Sequence, residues 1–297
     1  MDNELLLFDR LNVIKDTINK YGEENFYLSF SGGKDSTVVH HLLDMAIPGN
    51  RIPRVFINTG IEYFAIVKFV KEMADNDDRF EIINPTKPIR ETLEKYGYPF
   101  KSKEHSTKLH EWQIGHRETK SIKKYLTKGA SIQFSCPDVL RYQFTDEFVL
   151  NVSQYCCIEL KKRPVHKWEN ENKRKIKITG MMTAEGGQRK NITCIMTNGK
   201  KEVTRFHPLA KTNKEWEEWF IKTNNIKLCE LYYEPYNFDR TGCKGCPFAL
   251  SLEEQLETMA KYMPAERKQC ELIWKPVYDE YRRIGYRLKK DEQLKLF

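Results

Sequence analysis

Between Tyr27 and Val39 the chain reads Y-L-S-F-S-G-G-K-D-S-T-V-V, and this run places chemistry more firmly than any other. An apolar, β-prone approach (Phe26, Tyr27, Leu28, Phe30, with Ser29 between them) meets Ser31-Gly32-Gly33-Lys34-Asp35-Ser36. Thr37 and an apolar segment at helical spacing follow: Val38, Val39, Leu42 and Leu43. Strand, Gly-rich turn and helix start is the geometry in which free backbone N–H groups and the positive helix end hold a phosphate. The glycines let the backbone approach the anion, Lys34 adds charge, and Ser31 and Ser36 add hydroxyl donors. The Walker spacing G-x-x-x-x-G-K-[ST] is absent. A tight connection is the plain alternative, but the whole string in its strand–turn–helix setting favours a nucleotide-phosphate site.

Cys156-Cys157 and Cys243-Lys244-Gly245-Cys246 form the second constellation. A C-x-x-C in a loop with Gly and a following Pro lets two sulfurs converge on one metal or cluster. Neighbouring residues of a strand point to opposite faces, so Cys156 and Cys157 can bind together only in a turn or a helix start. Four thiolates suit zinc or an iron–sulfur cluster, and spacing alone does not separate them. Inert buried cysteines are the plain alternative.

The elements that must position these groups follow from the apolar pattern. Residues 4–20 carry an amphipathic stripe broken at Tyr21-Gly22. Arg54–Gly60 reads as a buried strand, 62–75 as a helix, and Phe80–Pro85 as a strand stopped by proline. Ile176–Gly180 reads as a further strand. The run through Asn198-Gly199 reads as a hairpin, Asn213–Ile226 as a helix, and Leu252–Tyr286 as helix broken near Pro264 and Pro276. This alternation predicts an α/β fold, a doubly wound, mostly parallel sheet with its ligand outside the carboxyl ends of the strands. Residues 86–135, with Pro88, Gly97, Pro99, Gly115, Gly129 and three histidines, read as a loop-rich, substrate-facing insertion with one short helix around Ser121–Leu126. The expected domains are 1–250, including that insertion, and a helical extension 251–297.

The 297 residues are 40% hydrophobic and 31% charged, which supports a core and a solvated surface; no apolar run is long enough to span a membrane. Acids in M-D-N-E-L-L-L-F-D-R argue against a secretory signal. The expected location is the cytoplasm, where eight cysteines are thiols or metal ligands. The net charge of +8 crowds into Lys161–Arg163, Lys173–Lys177, Arg189-Lys190 and Lys200-Lys201, a solvated face or a surface for an anionic partner. His40 and His41 on a helix predict one packed and one solvated ring. His105, His110 and His116 read as polar loop residues, and Trp216, Trp219 and Phe220 as core.

The S-G-G-K-D-S string resembles the PP-loop of the ATP-pyrophosphatase superfamily, which includes adenylating enzymes, tRNA-thiolating enzymes and the phosphoadenosine phosphosulfate (PAPS) reductase family. Cys-Cys, a long stretch and C-x-x-C resembles the four-iron four-sulfur signature of adenylyl-sulfate (APS) reductases and their cluster-bearing homologues. Cys156-Cys157-x-x-Leu160-Lys161-x-x-Pro164, Gly180-x-x-x-x-Glu185-x-x-x-Arg189, His207-Pro208-Leu209 with the Trp216/Trp219 helix, and Glu234-Pro235-Tyr236-Asn237 resemble further elements of the PAPS reductase family. The resemblance runs from residue 25 to about 250. It implies an adenine nucleotide alpha-hydrolase-like fold. It also implies an adenine nucleotide (ATP, or APS/PAPS) held by Ser29, Ser31, Gly32, Gly33, Lys34, Asp35, Ser36, Thr37, Thr59, Gly180, Glu185 and Arg189. Lys34 and a magnesium-binding Asp35 would serve catalysis, with Mg²⁺ bridging the phosphates. Cys156, Cys157, Cys243 and Cys246 would hold a [4Fe–4S] cluster, zinc being the alternative.

Sulfonucleotide reductases carry a nucleophilic cysteine in a C-terminal tail motif, whereas this chain ends L-K-K-D-E-Q-L-K-L-F with no cysteine after Cys270. Cys270 reads as a structural thiol of a helix. The first arginine of the family's G-x-R element is also missing, with Met181, Met182 and Thr183 in that stretch. The full loop is nearer the ATP-splitting members. Two enzyme functions are therefore in view. One binds ATP, adenylates a nucleic-acid acceptor (tRNA or DNA) and takes part in sulfur transfer, with a donor protein such as a cysteine desulfurase and a homodimer among the expected partners. The other reduces APS or PAPS with a thiol drawn from Cys136, Cys194 or Cys229, Cys136 being the preferred one. A zinc-stabilised nucleic-acid-binding protein is the non-enzymatic alternative. No membrane partner is expected.

Overall fold

The computed structural model describes residues 2–127 and 135–290. Gly129 and the rest of 128–134 in the expected insertion, and 291–297 of the expected extension, lie outside the described residues. Two units emerge. The first comprises Met1–Asn58, Glu62–Asn84 and Pro164–Thr241, and the second Thr59–Ile61, Pro85–Arg163 and Gly242–Phe297.

In the first unit, helix α1 (Asn3–Tyr21) leads to strand β1 (Phe26–Phe30), helix α2 (Lys34–Ala46), strand β2 (Arg54–Ile57), helix α3 (Phe64–Asn76) and strand β3 (Phe80–Ile83). Strands β4 (Ile176–Ile178), β5 (Ile195–Thr197) and β6 (Val203–Phe206) complete a six-stranded sheet of order β3-β2-β1-β4-β6-β5. All pairings are parallel except β5 against β6, the expected hairpin. Strand β1 is buried along most of its length because parallel strands joined by crossover helices are covered on both faces. Val38, Val39, Leu42 and Leu43 of α2 are fully buried, each contributing roughly 1.5–3 kcal/mol. Trp168 packs at 5.0 Å on Tyr27 beside Val55 and Val165. The chain leaves β1 toward β2 on one side and later returns as β4 on the other. The carboxyl ends of β1 and β4 therefore form the switch point at which such sheets bind ligands.

Of the histidine pair on α2, His40 is buried against Phe30 and Phe80, its Nδ1 accepting from Arg54 Nε at 3.1 Å, while His41 is half-buried. Trp216 and Phe220 stack at 5.3 Å inside the core, as expected.

The second unit corrects the reading of residues 86–135. They form the helices Ile89–Tyr96, Lys103–Gln113 and Lys120–Leu126 rather than a loop with one helix. The breakers are helix boundaries: Pro88 starts the first helix and Gly97 ends it, while the Ser102 and Thr119 side chains accept from the amides of His105 and Ile122. After an isolated bridge between Tyr98 and Val152, the chain starts a short helix, Tyr155–Cys157, that tightens into a π turn over Ile158–Lys162. Three helices, Leu252–Tyr262, Pro264–Ile273 and Lys275–Ile284, follow, with breaks where the prolines predicted them.

His105 is not a loop residue. It has no exposed surface; Nδ1 lies 2.9 Å from Tyr125 Oη and Nε2 2.7 Å from Gln143 Oε1. Burial pushes its pKa down to about 3. The unfolded chain therefore takes up this proton first, so stability is complete above pH 6.5 and falls as the pH drops toward 3. At about 1.4 kcal/mol per unit, roughly 2 kcal/mol is lost by pH 5. Urea melts of His105→Gln between pH 7 and 4.5 are expected to show a shallower decline, the remainder belonging to the similarly depressed His40 and to His41, His110 and His207, which burial also lowers; equal slopes for variant and parent would refute the assignment.

Candidate functional site

Strand β1 ends at Phe30 and α2 begins at Lys34, so three residues turn the chain at the switch point. Gly32 has φ +70°, and a Cβ there would stand 2.9 Å from Ile66 Cγ2 and 3.0 Å from Val70 Cγ2; both backbone and space require glycine. The loop's hydroxyls tie it to itself. Ser31 N–H donates to Ser36 Oγ (3.2 Å), Gly33 N–H to Ser31 Oγ (3.3 Å), Ser36 Oγ to Gly33 O (2.9 Å) and Thr37 Oγ1 to the same carbonyl (3.0 Å). The loop is thus set before any ligand arrives. Lys34 N–H, at the first turn of α2, donates to Tyr232 Oη at 3.2 Å, and that hydroxyl meets Thr241 Oγ1 at 2.7 Å.

The Lys34 ammonium lies 3.5 Å from Glu217 Oε2 and 4.0 Å from Asp239 Oδ1, and Asp239 also pairs with Lys214 at 2.8 Å. Glu217 has no exposed surface, and neither of its carboxylate oxygens has a hydrogen-bond partner. Burial, reinforced by the charge of Asp35, pushes its pKa up to about 8. Gly180, just past β4, comes so near the loop that a Cβ would lie 2.7 Å from Asp35 O. Glu185 is flanked by the guanidinium groups of Arg189 and Arg240, and one of its oxygens accepts from Met182 N–H at 3.3 Å.

In the second unit, Cys156 and Cys157 stand at the helix start that joint ligation requires, and none of the eight cysteines is in a disulfide. The hydrogen bond between these two thiols pulls Cys157 down to about 6, against its burial and with help from Lys103, Lys161 and Lys162. The same bond pushes Cys156 up, as do burial and the charges of Cys157, Cys246 and Cys243. Burial and then Cys243 push Cys246 up to about 12. The C-x-x-C loop is braced from behind: Trp274 Nε1 donates to Lys244 O (3.1 Å), Tyr281 Oη to Pro247 O (2.9 Å) and Tyr278 Oη to Gly245 O. Lys244 Nζ meets Glu266 at 3.2 Å in the interior.

A family model, the phosphoadenosine phosphosulfate reductase domain, matches residues 25–249. The chain belongs to this family. An uncharacterized curated protein of Methanocaldococcus jannaschii is 26% identical over 291 residues, covering 97% of this chain and 55% of that protein. The chain thus spans about half the length of the curated relative it matches. Among solved structures, PAPS reductase from Candida auris in its phosphate complex is 12% identical, covering 78% of this chain and 93% of that one at a TM-score of 0.45. FMN adenylyltransferase from Candida glabrata is 14% identical (82% and 63% covered, TM-score 0.47). The NH3-dependent NAD synthetase from Campylobacter jejuni is 13% identical (96% and 97%, TM-score 0.40).

In this PAPS reductase-family chain, the structure gathers Ser31, Gly32, Gly33, Lys34, Asp35, Ser36, Thr37 and Gly180 at one point of the first unit. Ser29 lies on β1, paired with Val55. Thr59 is buried and belongs to the second unit. Glu185 and Arg189 pair with each other. Tyr232, Thr241 and Glu217 escaped the sequence reading. Of these only Glu217 left a local signal, a carboxylate on the buried stripe of its helix between Trp216 and Phe220.

Among the described residues, no three His, Cys, Asp or Glu side chains are gathered so as to hold a metal ion as they stand. The four cysteines nevertheless fit a cationic group in kind. They are buried or half-buried thiols, and neighbouring sulfurs and burial hold Cys156 and Cys246 up, a cost that a metal centre relieves by taking the protons' place. Cys136, the candidate reductive thiol, is buried and pushed up to about 11 by that burial; Cys229 likewise. Neither is an activated thiolate. Among the described residues no helix is long and apolar enough to cross a membrane.

Proposed function

We propose that this PAPS reductase-family chain is an enzyme that binds ATP at the Ser31–Ser36 loop, adenylates an acceptor and takes part in iron–sulfur-dependent sulfur transfer to tRNA or DNA. The observation that carries the reading is the pre-tied, full-length loop, with Lys34 and the start of α2 set for a polyphosphate. An oxygen of the acceptor attacks the α-phosphorus, the bond to the β-phosphate oxygen breaks, and pyrophosphate leaves. A sulfur nucleophile at the sulfide level, brought by a donor protein, then replaces the adenylated oxygen and AMP leaves. Lys34 and the loop amides stabilise the charge that gathers on the phosphates, work that is mainly positioning. Arg189 and Arg240, both partly exposed, extend the positive surface on the Glu185 side. Cys156, Cys157, Cys243 and Cys246 would hold a [4Fe–4S] cluster, which would supply a sulfur-handling centre, with Lys103, Lys161 and Lys162 balancing its thiolates. The exposed Lys162, Arg163, Lys173, Lys175, Lys200 and Lys201 suit a nucleic-acid backbone. The buried, neutral state of Cys136 speaks against thiol-driven reduction of APS or PAPS.

Anaerobic purification with iron, sulfide and zinc analysis, followed by equilibrium binding of ATP, APS and PAPS, tests this reading. A brown protein with about four irons that prefers ATP, and loses it in Lys34→Ala, is expected. A colourless zinc protein would remove the cluster, and preference for APS or PAPS would restore the reductase.

A further inference from the structure

Glu217 is the most exceptional side chain beside the PP-loop. It is fully buried, both oxygens lack a hydrogen bond, and its counter-charge is the Lys34 ammonium, at 3.5 Å. A buried carboxylate without hydrogen bonds is expensive unless a cation holds it. Lys34 cannot serve two masters: the ammonium that a polyphosphate recruits is the one on which Glu217 depends. Asp35 adds a second negative charge against Glu217. Asp239 is shared with Lys214, so Lys34 is the cation on which both Glu217 and an entering polyanion draw. A divalent cation resolves this arithmetic, because Mg²⁺ typically binds through one or two carboxylates together with substrate phosphates and water.

We propose that Glu217, together with Asp35, forms the protein's half of a divalent-cation site at the loop, completed by the phosphates of the nucleotide. The inference rests on the loop being a polyphosphate site and adds a ligand drawn from the Lys214–Thr223 helix. Glu217 then exchanges one cation for another as the ligand binds: Lys34 turns to the phosphates and the divalent ion takes its place.

Equilibrium binding of ATP, with Mn²⁺ or with EDTA, to the full chain and to Glu217→Gln tests this. In the parent, Mn²⁺ should tighten ATP at least about tenfold. In Glu217→Gln most of that gain should vanish, while binding in EDTA stays equal or improves because the lysine no longer has a competing carboxyl partner. The EDTA arm also shows that the variant is folded. The same Mn²⁺ gain in both proteins would overturn the proposal, as would tighter ATP binding by the variant in both buffers, which would make Glu217 a competitor for Lys34 only. If the parent bound no ATP in either buffer, the polyphosphate reading would fall by itself. Titration of the nucleotide-free protein with Mn²⁺, followed by the electron paramagnetic resonance of the free ion, would then decide this one: a site lost in Glu217→Gln supports it, and identical curves refute it.

Discussion

Gly180→Ala is expected to weaken ATP binding by about thirtyfold or more while the protein stays folded. The added methyl would lie 2.7 Å from Asp35 O and 2.8 Å from both Asp35 C and Asp35 Cβ, and two of these are backbone atoms that cannot rotate away. Overpacking of this kind costs about 1–3 kcal/mol, and a strain near 2 kcal/mol released by moving the loop corresponds to roughly thirtyfold in affinity. The strain falls on the first turn of α2, whose amides and Lys34 would meet the phosphates in the proposed function, so the loss should appear in binding before it appears in melting. Gly180 is not one of the glycines held at positive φ, so the effect is one of space alone. Gly199→Ala is the control: nothing lies within 4 Å of its Cβ position, and its backbone is not left-handed. Calorimetric ATP titration of both variants, with circular dichroism melts, checks this. Parent-like affinity in Gly180→Ala would remove the end of β4 from the nucleotide site.

Gly245→Ala should damage the second unit more broadly. Gly245 has φ +60°, and its Cβ would stand 2.5 Å from Tyr278 Oη and 2.7 Å from Cys270 Sγ. Left-handed strain of about 1–2 kcal/mol adds to overpacking of about 1–3 kcal/mol, so a loss of about 2–5 kcal/mol is expected. The clash falls on the brace itself, since Tyr278 donates to Gly245 O and neighbouring contacts from Trp274 and Tyr281 hold Lys244 and Pro247. Cys243 and Cys246 flank the displaced residue, so the metal content expected of the proposed cluster should fall along with the melting temperature. A variant with full metal content and unchanged stability would show that the brace is not needed to hold the C-x-x-C turn.

The sheet and its loop were legible because their signals are local. Apolar runs of strand length, a glycine pair before a helical stripe, and Asn198-Gly199 between two short strands each declare themselves within a dozen residues. Prolines at 264 and 276 marked helix starts just as directly. Residues 86–135 misled because Pro88, Gly97 and Gly115 punctuate short helices as readily as they punctuate loops, and the caps at Ser102 and Thr119 went unread. At the site, what arises from folding was out of reach. Tyr232 lies far along the chain from Lys34, and nothing near it announces that its hydroxyl will accept the Lys34 amide. Cys270 could be assigned a structural role from its helix, but not the part it plays in forbidding a side chain at Gly245.

Strand β1 lies inside the sheet, bonded to β2 on one side and β4 on the other, and the PP-loop grows from its end. Its amides should be among the slowest in the first unit to exchange with solvent, since only a global opening frees both ladders at once. Tyr232 and Thr241, which meet the same loop, come instead from the short turn at Glu230–Tyr232 and the irregular stretch after it. The proposed grip on the phosphates would thus be anchored in the most durable part of the sheet and closed by an irregular segment outside it. Changes in the closing stretch can alter what the site admits without disturbing the ground on which it stands.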